Sequence, residues 1–255
     1  SNEHYNNAFK LFYEKKYDES LDEATKAIEL NDKNKDAYNI IGNVKCETGK
    51  YVEALENYNK TLDFDVNYVY AYHNIGFVKN KLFQYTDAIG FFNKAIELDP
   101  NFAIAYNERA FSKIALLQNE EAMIDLNKSI DLNPKNSVAY SDRSLLEFRL
   151  ENYENSKKDV LIALELNPNN ANAYYVQACL MKLEKDYENA IINIDTAIRF
   201  SPTEPVYYLR KAEIFADTKN ITGFFENLEI GLNLGLTKQQ LKEEFNTYKP
   251  FIKDQ

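Results

Sequence analysis

The chain has 255 residues, of which 45% are hydrophobic and 14% aromatic, which is enough to bury a continuous core. Its 30 basic and 40 acidic residues give a formal net charge of -10, and the basic residues form no cluster. Because nucleic-acid binding needs a basic surface that displaces counterions, we expect no nucleic-acid partner. We interpret the acidic excess as a contribution to solubility.

A 34-residue period organises the chain. Ala-Tyr pairs recur at this spacing, at Ala37-Tyr38, Ala71-Tyr72, Ala105-Tyr106, Ala139-Tyr140 and Ala173-Tyr174. A fixed period of this length marks an array of supersecondary repeats. The repeats occupy residues 1–34, 35–68, 69–102, 103–136, 137–170, 171–204 and 205–236. Since each repeat would bury its apolar face against its neighbours, we predict a single solenoid domain over residues 1–255.

Each repeat contains two predicted helices. In the third repeat, Val69 to Phe102, we expect a break near Phe83-Gln84 and an end at Asp99-Pro100. Small residues recur in the first helices at Ala8, Gly42, Gly76, Ala110, Ser144, Ala178 and Ala212, and in the second helices at Ser20, Ala54, Ala88, Ala122, Ser156 and Ala190. Large apolar residues recur in the second helices at Tyr58, Phe92, Leu126, Val160, Ile194 and Leu228. Small and large residues at three- and four-residue spacing predict two helices packed as a hairpin.

The end of the chain departs from the repeat. Thr237, followed three residues later by Gln240, has the form of a helix capping box. Leu241, Phe245 and Tyr248 would share one face of that helix. We therefore predict a C-terminal capping helix over residues 237–255, which would cover the last apolar face of the array.

The third repeat resembles the tetratricopeptide repeat, through Tyr72, Ile75, Gly76, Ala88, Phe92 and Pro100. The resemblance covers almost the whole chain. It implies an all-α fold, a right-handed superhelical solenoid of about seven helix-turn-helix repeats in which the first helices line a concave groove. The recurring tyrosines Tyr38, Tyr72, Tyr106, Tyr140 and Tyr174 would then be structural packing residues.

Two repeats depart from the motif in a matched way. Arg109 and Arg143 occupy the seventh position of the fourth and fifth repeats, where leucine is usual. Only these repeats have aspartate at the twenty-third position, as Asp125 and Asp159. An unpaired arginine in a packed helix interface would cost several kcal/mol. We therefore predict structural Arg109–Asp125 and Arg143–Asp159 ion pairs, each between the two helices of one repeat.

The resemblance also implies which residues face the groove. The candidate binding residues are Asn39, Asn43, Tyr70, His73, Asn74, Phe77, Asn107, Phe111, Phe148 and Tyr175, with Ile104 and Leu145 beside them. This surface is rich in amides and aromatic rings and would suit an extended peptide or a helix of a partner protein. The alternative is that some of these rings pack between adjacent first helices.

Two known kinds of groove do not match. The carboxylate clamp of chaperone-tail binders needs three cations, but the corresponding positions are Asn39, Asn43, Asn74, Ile104 and Glu108. A terminal carboxylate would thus lack a cationic partner. A continuous asparagine ladder is also absent, because the sixth positions of the repeats are Asn6, Ile40, Asn74, Glu108, Asp142, Val176 and Arg210.

Signals for catalysis, cofactors and membranes are weak. His4 and His73 are the only histidines, and no phosphate loop, nucleophile elbow or metal spacing is present. Cys46 and Cys179 lie too far apart in the repeat array to form a disulfide. No apolar run approaches the roughly 18 residues of a membrane span, so we expect no direct membrane insertion. A cytoplasmic location is favoured, with a leader or anchor before Ser1 left open.

These observations predict a non-catalytic scaffold without cofactors that binds a protein or peptide partner in its groove. One alternative is a repeat module of a larger enzyme or envelope protein, with the activity or anchor outside these residues. Another is an assembly element that forms a weak homo-oligomer through its convex or end faces.

Overall fold

The computed structural model describes residues 1–236, which contain helices and no strands. These residues divide into two compact units, Ser1–Asn133 and a second unit that begins at Pro134. The first unit contains α1 (Asn2–Tyr13), α2 (Tyr17–Leu30), α3 (Lys35–Glu47), α4 (Tyr51–Phe64), α5 (Val69–Lys81), α6 (Tyr85–Leu98), α7 (Ala103–Ala115) and α8 (Asn119–Leu132). The second contains α9 (Ser137–Arg149), α10 (Tyr153–Leu166), α11 (Ala171–Leu183), α12 (Tyr187–Phe200), α13 (Pro205–Asp217) and α14 (Ile221–Asn233).

Each predicted repeat contains one pair of consecutive helices, which confirms the all-α fold and the seven repeats. The break predicted near Phe83-Gln84 separates α5 from α6, and α6 ends immediately before Asp99-Pro100. The predicted capping helix, with Thr237, lies outside the described residues.

Small residues bring the two helices of each pair together. Ala8 and Ala88 are fully buried, and Ser20 Oγ donates across the α1–α2 pair to the Ala8 carbonyl oxygen at 2.8 Å. A Cβ atom on Gly76 would lie 2.7 Å from Cε1 of Phe92. Side chains do not pack that closely, so glycine sets the spacing of α5 and α6.

The turn inside each pair holds one residue in the left-handed backbone region. These residues are Lys15, Gly49, Phe83 and Leu117 in the first unit and Glu151, Lys185 and Lys219 in the second. Six of the seven are not glycine, although this conformation costs an L-residue about 1 kcal/mol or more. The packing of the helix pair on either side therefore determines the turn conformation.

Aspartate and asparagine side chains close the turns between pairs. Asp65 Oδ1 accepts from the Asn67 backbone N–H at 3.0 Å, and Asp99 Oδ1 accepts from the Asn101 backbone N–H at 3.0 Å. Such a side chain competes for backbone donors at the end of a helix and favours a turn there. In this way the polar residue before Pro100 ends α6 and directs the chain into α7.

The core of each unit lies between its helices. In the first unit Tyr58, Ile75 and Val78 form one buried cluster, packed against partly buried rings of the neighbouring helices. In the second unit Ile194 and Ile214 belong to a corresponding cluster. The first helices also contact one another directly, which places their groove-facing side chains within hydrogen-bonding reach in the first unit.

Candidate functional site

Three asparagines of the first unit form a hydrogen-bonded network between α3 and α5. Asn74 Nδ2 donates to Asn39 Oδ1 at 3.1 Å and to Asn43 Oδ1 at 2.9 Å. The Tyr58 hydroxyl reaches the same Asn43 oxygen from α4 at 3.0 Å. Asn39 is buried, whereas Asn43 and Asn74 are partly exposed. The structure thus brings together the three predicted asparagines and adds Tyr58, which the sequence pattern indicated only as a core residue.

His73 lies beside this network on α5. Its Nδ1 lies 3.1 Å from Asn74 Oδ1, so Nδ1 carries the proton and donates to the amide oxygen. The Phe92 and Phe102 ring centroids are 5.9 and 5.3 Å from the imidazole. Nε2 is buried and makes no hydrogen bond with any residue that the structure describes. Burial lowers the pKa of His73 below its ordinary value, which favours the neutral imidazole.

Aromatic side chains accompany Asn74 on α5, and a further one lies on α7. Tyr70 is 59% exposed, and its ring packs edge-on against Phe102 at 5.4 Å. Phe77 is partly buried, and Lys81 Nζ lies 5.1 Å from the centroid of its ring. Phe111 is 49% exposed. Rings and amides on the same helix provide both apolar contact and hydrogen-bonding groups.

A second polar contact joins α5 to α7. Ser112 Oγ donates to Asn80 Oδ1 at 2.7 Å, and both side chains are buried. Asn107, also on α7, is buried as well. No sequence signal pointed to the contact between Asn80 and Ser112, because it joins single residues of two different repeats. Their burial indicates that they fix the spacing of the two helices.

The predicted groove residues of the second unit lie in a packed core. Phe148 and Tyr175 both contact the buried cluster of Val160, Val176 and Leu180. The Tyr175 ring stacks on Tyr207 with 5.2 Å between centroids. Burial raises the pKa of Tyr175 to about 12. Tyr175 thus packs between two first helices, which was the alternative to a binding role that the sequence left open.

A charged network in the second unit was not anticipated from the sequence. Arg210 donates to the carboxylate of Glu213, which is 1% exposed. The Lys182 ammonium group lies 3.8 Å from Glu213 and 3.1 Å from Asp217. Buried carboxylates need such cations because desolvation of an unpaired charge is costly. Arg210, Glu213 and Asp217 lie on α13, whereas Lys182 lies on α11. The contacts of Lys182 therefore depend on how these two helices pack.

The arginine–aspartate contacts occur at the predicted positions. In the first unit Arg109 Nε and Nη2 donate to the two oxygens of Asp125 at 2.8 and 2.5 Å. In the second unit Arg143 Nε and Nη2 donate to the two oxygens of Asp159 at 2.6 and 2.8 Å. Lys113 adds a further contact to Asp125 at 2.7 Å. Each pair links the two helices of one repeat.

The recurring tyrosines contact either their own helix pair or the turn that precedes it. The Tyr72 hydroxyl donates to the Val66 carbonyl oxygen at 3.0 Å, and the Tyr106 hydroxyl donates to the Pro100 carbonyl oxygen at 3.3 Å. The other three contact side chains instead: Tyr38 stacks on Phe64, Arg143 lies over Tyr140, and Tyr174 packs on Phe200. These contacts are those of packing residues.

The described residues offer little for catalysis. They contain no group of His, Cys, Asp and Glu side chains that could hold a metal ion. Cys46 and Cys179 are buried free thiols, and burial raises the pKa of Cys46 to about 11, which disfavours the reactive thiolate. None of the helices in residues 1–236 is long and apolar enough to cross a membrane.

Paired helices in tandem, with their first helices in contact, define the class of helical-repeat proteins. The TPR repeat family model matches residues 42–82, and the Tetratricopeptide repeat model matches residues 69–102. Residues 42–102 therefore contain tetratricopeptide repeats, and the helix pairs on both sides of them share the fold of a solved tetratricopeptide repeat protein. No curated protein matches its sequence significantly.

Solved structures share the fold at low sequence identity. A chain of the APC/C hetero-tetramer Cut9–Hcn1 has a TM-score of 0.74 and 17% identity, over 90% of this chain and 45% of that chain. This chain therefore spans less than half the length of that relative. A tetratricopeptide repeat protein from Parabacteroides merdae ATCC 43184 has a TM-score of 0.72 and 18% identity, over 95% and 96% of the two chains.

A third structure, YrrB, is a TPR protein with an unusual peptide-binding site. It has a TM-score of 0.51 and 23% identity, over 70% of this chain and 92% of its own. Tetratricopeptide-repeat proteins are generally non-catalytic and bind protein partners. The fold thus supports a protein-interaction scaffold.

Proposed function

We propose that this protein is a non-catalytic scaffold that binds an extended peptide segment of a partner protein on the first unit. The binding surface is the asparagine face, defined as Asn39, Asn43, Asn74, Tyr70 and Phe77 on α3 and α5. The observation that carries the proposal is the amide network centred on Asn74, which shares α5 with the exposed Tyr70 ring and the partly buried Phe77 ring.

Physical chemistry supports this choice of surface. An extended peptide leaves its backbone groups unpaired, and partly exposed amides such as Asn43 and Asn74 can satisfy them. Exposed rings such as Tyr70 supply apolar contact at a low cost in side-chain entropy. The peptide-binding site of YrrB, which has the same fold, is consistent with this assignment.

The proposal is tested with the double variant Asn74→Ala plus Phe77→Ala. We expect it to lose capture of the partner while its helical content, measured by circular dichroism, stays unchanged. The matched control is Val52→Ala plus Asn59→Ala, which changes two exposed residues of α4 and should capture the partner as the wild type does.

A photo-crosslinker then locates the partner. Placed at Tyr70 it should form a crosslink to the captured protein, and placed at Val52 it should not. Unchanged capture by the Asn74→Ala plus Phe77→Ala variant would exclude the asparagine face. Crosslinks to a second copy of this chain would instead favour self-assembly.

A further inference from the structure

The asparagine network has a defined polarity, meaning that the direction of each of its hydrogen bonds is fixed. Each of its three amide oxygens already accepts a hydrogen bond from within the protein. Asn39 Oδ1 accepts from Asn74 Nδ2, and Asn43 Oδ1 accepts from Asn74 Nδ2 and from the Tyr58 hydroxyl. Asn74 Oδ1 accepts from His73 Nδ1. An amide oxygen can accept two hydrogen bonds, so Asn43 Oδ1 is fully used, whereas Asn39 Oδ1 and Asn74 Oδ1 are each half used. The N–H groups of the Asn39 and Asn43 amides donate to no residue that the structure describes, so most of the capacity left for a ligand consists of donors.

Two groups at the ends of the network set this polarity. Tyr58 lies in the core, and its hydroxyl donates to Asn43 Oδ1, which turns the Asn43 amide nitrogen away from the core. At the other end, an imidazole nitrogen that contacts an amide oxygen must be protonated, so His73 donates and orients Asn74. The positions equivalent to Tyr58 in the first unit are Ala24, Phe92 and Leu126, which have no hydroxyl.

The unused donors are the amide N–H groups of Asn39 and Asn43, which donate to no residue that the structure describes. A surface that offers donors selects a ligand that offers acceptors. The acceptors need carry little charge, because three of the four lysines of α3 and α5 are paired with acids and the fourth, Lys81, lies over the Phe77 ring. These pairs are Lys35–Asp65 at 2.5 Å, Lys45–Glu53 at 2.5 Å and Lys79–Asp87 at 3.3 Å.

We propose that the asparagine face binds a proline-rich segment and that Tyr58 is the positioning residue for this specificity. Proline supplies a carbonyl acceptor and has no N–H, so it requires no acceptor from the protein. In the polyproline II conformation the carbonyl groups are free of internal hydrogen bonds, and the proline rings pack on aromatic side chains. Tyr70 and Phe77 provide those rings. This inference rests on the proposed function.

The test uses fluorescein-labelled, amidated decaproline, with an amidated alternating alanine–glutamine peptide of equal length for comparison. We expect decaproline to bind more tightly, and the free-acid form to bind as the amidated form does. Tyr58→Phe should weaken decaproline binding about fivefold, the effect of losing one oriented hydrogen bond. The control Tyr72→Phe removes a hydroxyl that contacts only the turn at Val66, and should leave binding unchanged.

Three results would overturn the inference: no preference for decaproline, an unchanged affinity in Tyr58→Phe, or tight binding of the free acid alone. If the alanine–glutamine peptide binds, with sensitivity to Asn74→Ala plus Phe77→Ala, while decaproline does not, the inference fails and the proposed function stands. If that double variant also captures the partner as the wild type does, both fail.

The polarity itself has a readout that does not depend on a ligand. The ¹⁵N chemical shifts of the His73 ring report which nitrogen carries the proton, and His4→Gln assigns the two histidines. We expect a protonated Nδ1 and an unprotonated Nε2. The opposite tautomer would reverse the donors and acceptors of the network and would overturn the inference.

Discussion

Arg109 makes a bidentate hydrogen-bonded contact with Asp125, whose side chain is 2% exposed. The guanidinium group also donates to Asn93 at 2.7 Å and lies over the Tyr106 ring at 5.3 Å. The equivalent contact in the second unit, between Arg143 and Asp159, differs in one respect. Lys113 also reaches Asp125, whereas the position equivalent to Lys113 in that repeat is Glu147.

This difference predicts unequal losses of stability. Arg143→Met should lower the free energy of unfolding by about 3 kcal/mol, because it leaves Asp159 buried without a cation. Arg109→Met should cost about 1 to 2 kcal/mol, because Lys113 still neutralises Asp125. Urea unfolding of the two variants measures both values. Adding Lys113→Met to Arg109→Met should raise the loss of stability to that of Arg143→Met. An equal loss in the two single variants would contradict this account.

Substitution of two glycines should change stability in opposite directions. Gly49 has φ +75° and an added Cβ would meet nothing within 4 Å, so Gly49→Ala should cost about 1 kcal/mol through backbone strain alone. Gly90, inside α6, also has open space around a Cβ. Gly90→Ala should therefore stabilise the protein by up to about 1 kcal/mol through helix propensity. Thermal unfolding compares the two, and a rise in Tm for Gly49→Ala would be inconsistent with the left-handed turn.

The Glu23 carboxylate should become protonated only at unusually low pH. Its carboxylate accepts from Lys26 and lies 2.7 Å from His4 Nδ1, and these contacts lower its pKa to about 2. Because the folded pKa lies below the ordinary value, its contribution to stability is present above about pH 4.5 and is lost as the pH falls toward 2. NMR titration of the side-chain carboxyl measures the midpoint. Lys26→Met should raise it more than His4→Gln does, because the Lys26 hydrogen bond is the larger cause.

His73 should make stability depend on pH over a different range. Burial lowers its folded pKa, so the unfolded chain binds more protons at this residue when the pH falls below about 6.5. Its contribution is therefore complete above that pH and is lost on acidification. We expect the free energy of unfolding to drop between pH 8 and pH 5, and His73→Gln to reduce that drop. An identical pH profile in the variant would show that His73 is not responsible.

Much of the fold followed from repetition. The 34-residue period predicted the helix pairs, because each small residue recurs where two helices must approach closely, as at Gly76 opposite Phe92. The same comparison between repeats identified the Arg109–Asp125 pair, since both residues depart from the motif together. The non-glycine left-handed turns could not be predicted, because residues such as Leu117 adopt that conformation only when packed helices on both sides impose it.

What the sequence by itself determined is thus the fold, the number of repeats and the surface with the most distinctive amide and aromatic chemistry. Only the tertiary structure decided how those side chains act on one another. A repeat position specifies which way a residue faces, but not which neighbour its polar atoms reach across helices. For this reason Tyr58 could be recognised as a core residue from its spacing, while its hydrogen bond to Asn43, and with it the polarity of the asparagine network, depended on how α3, α4 and α5 pack.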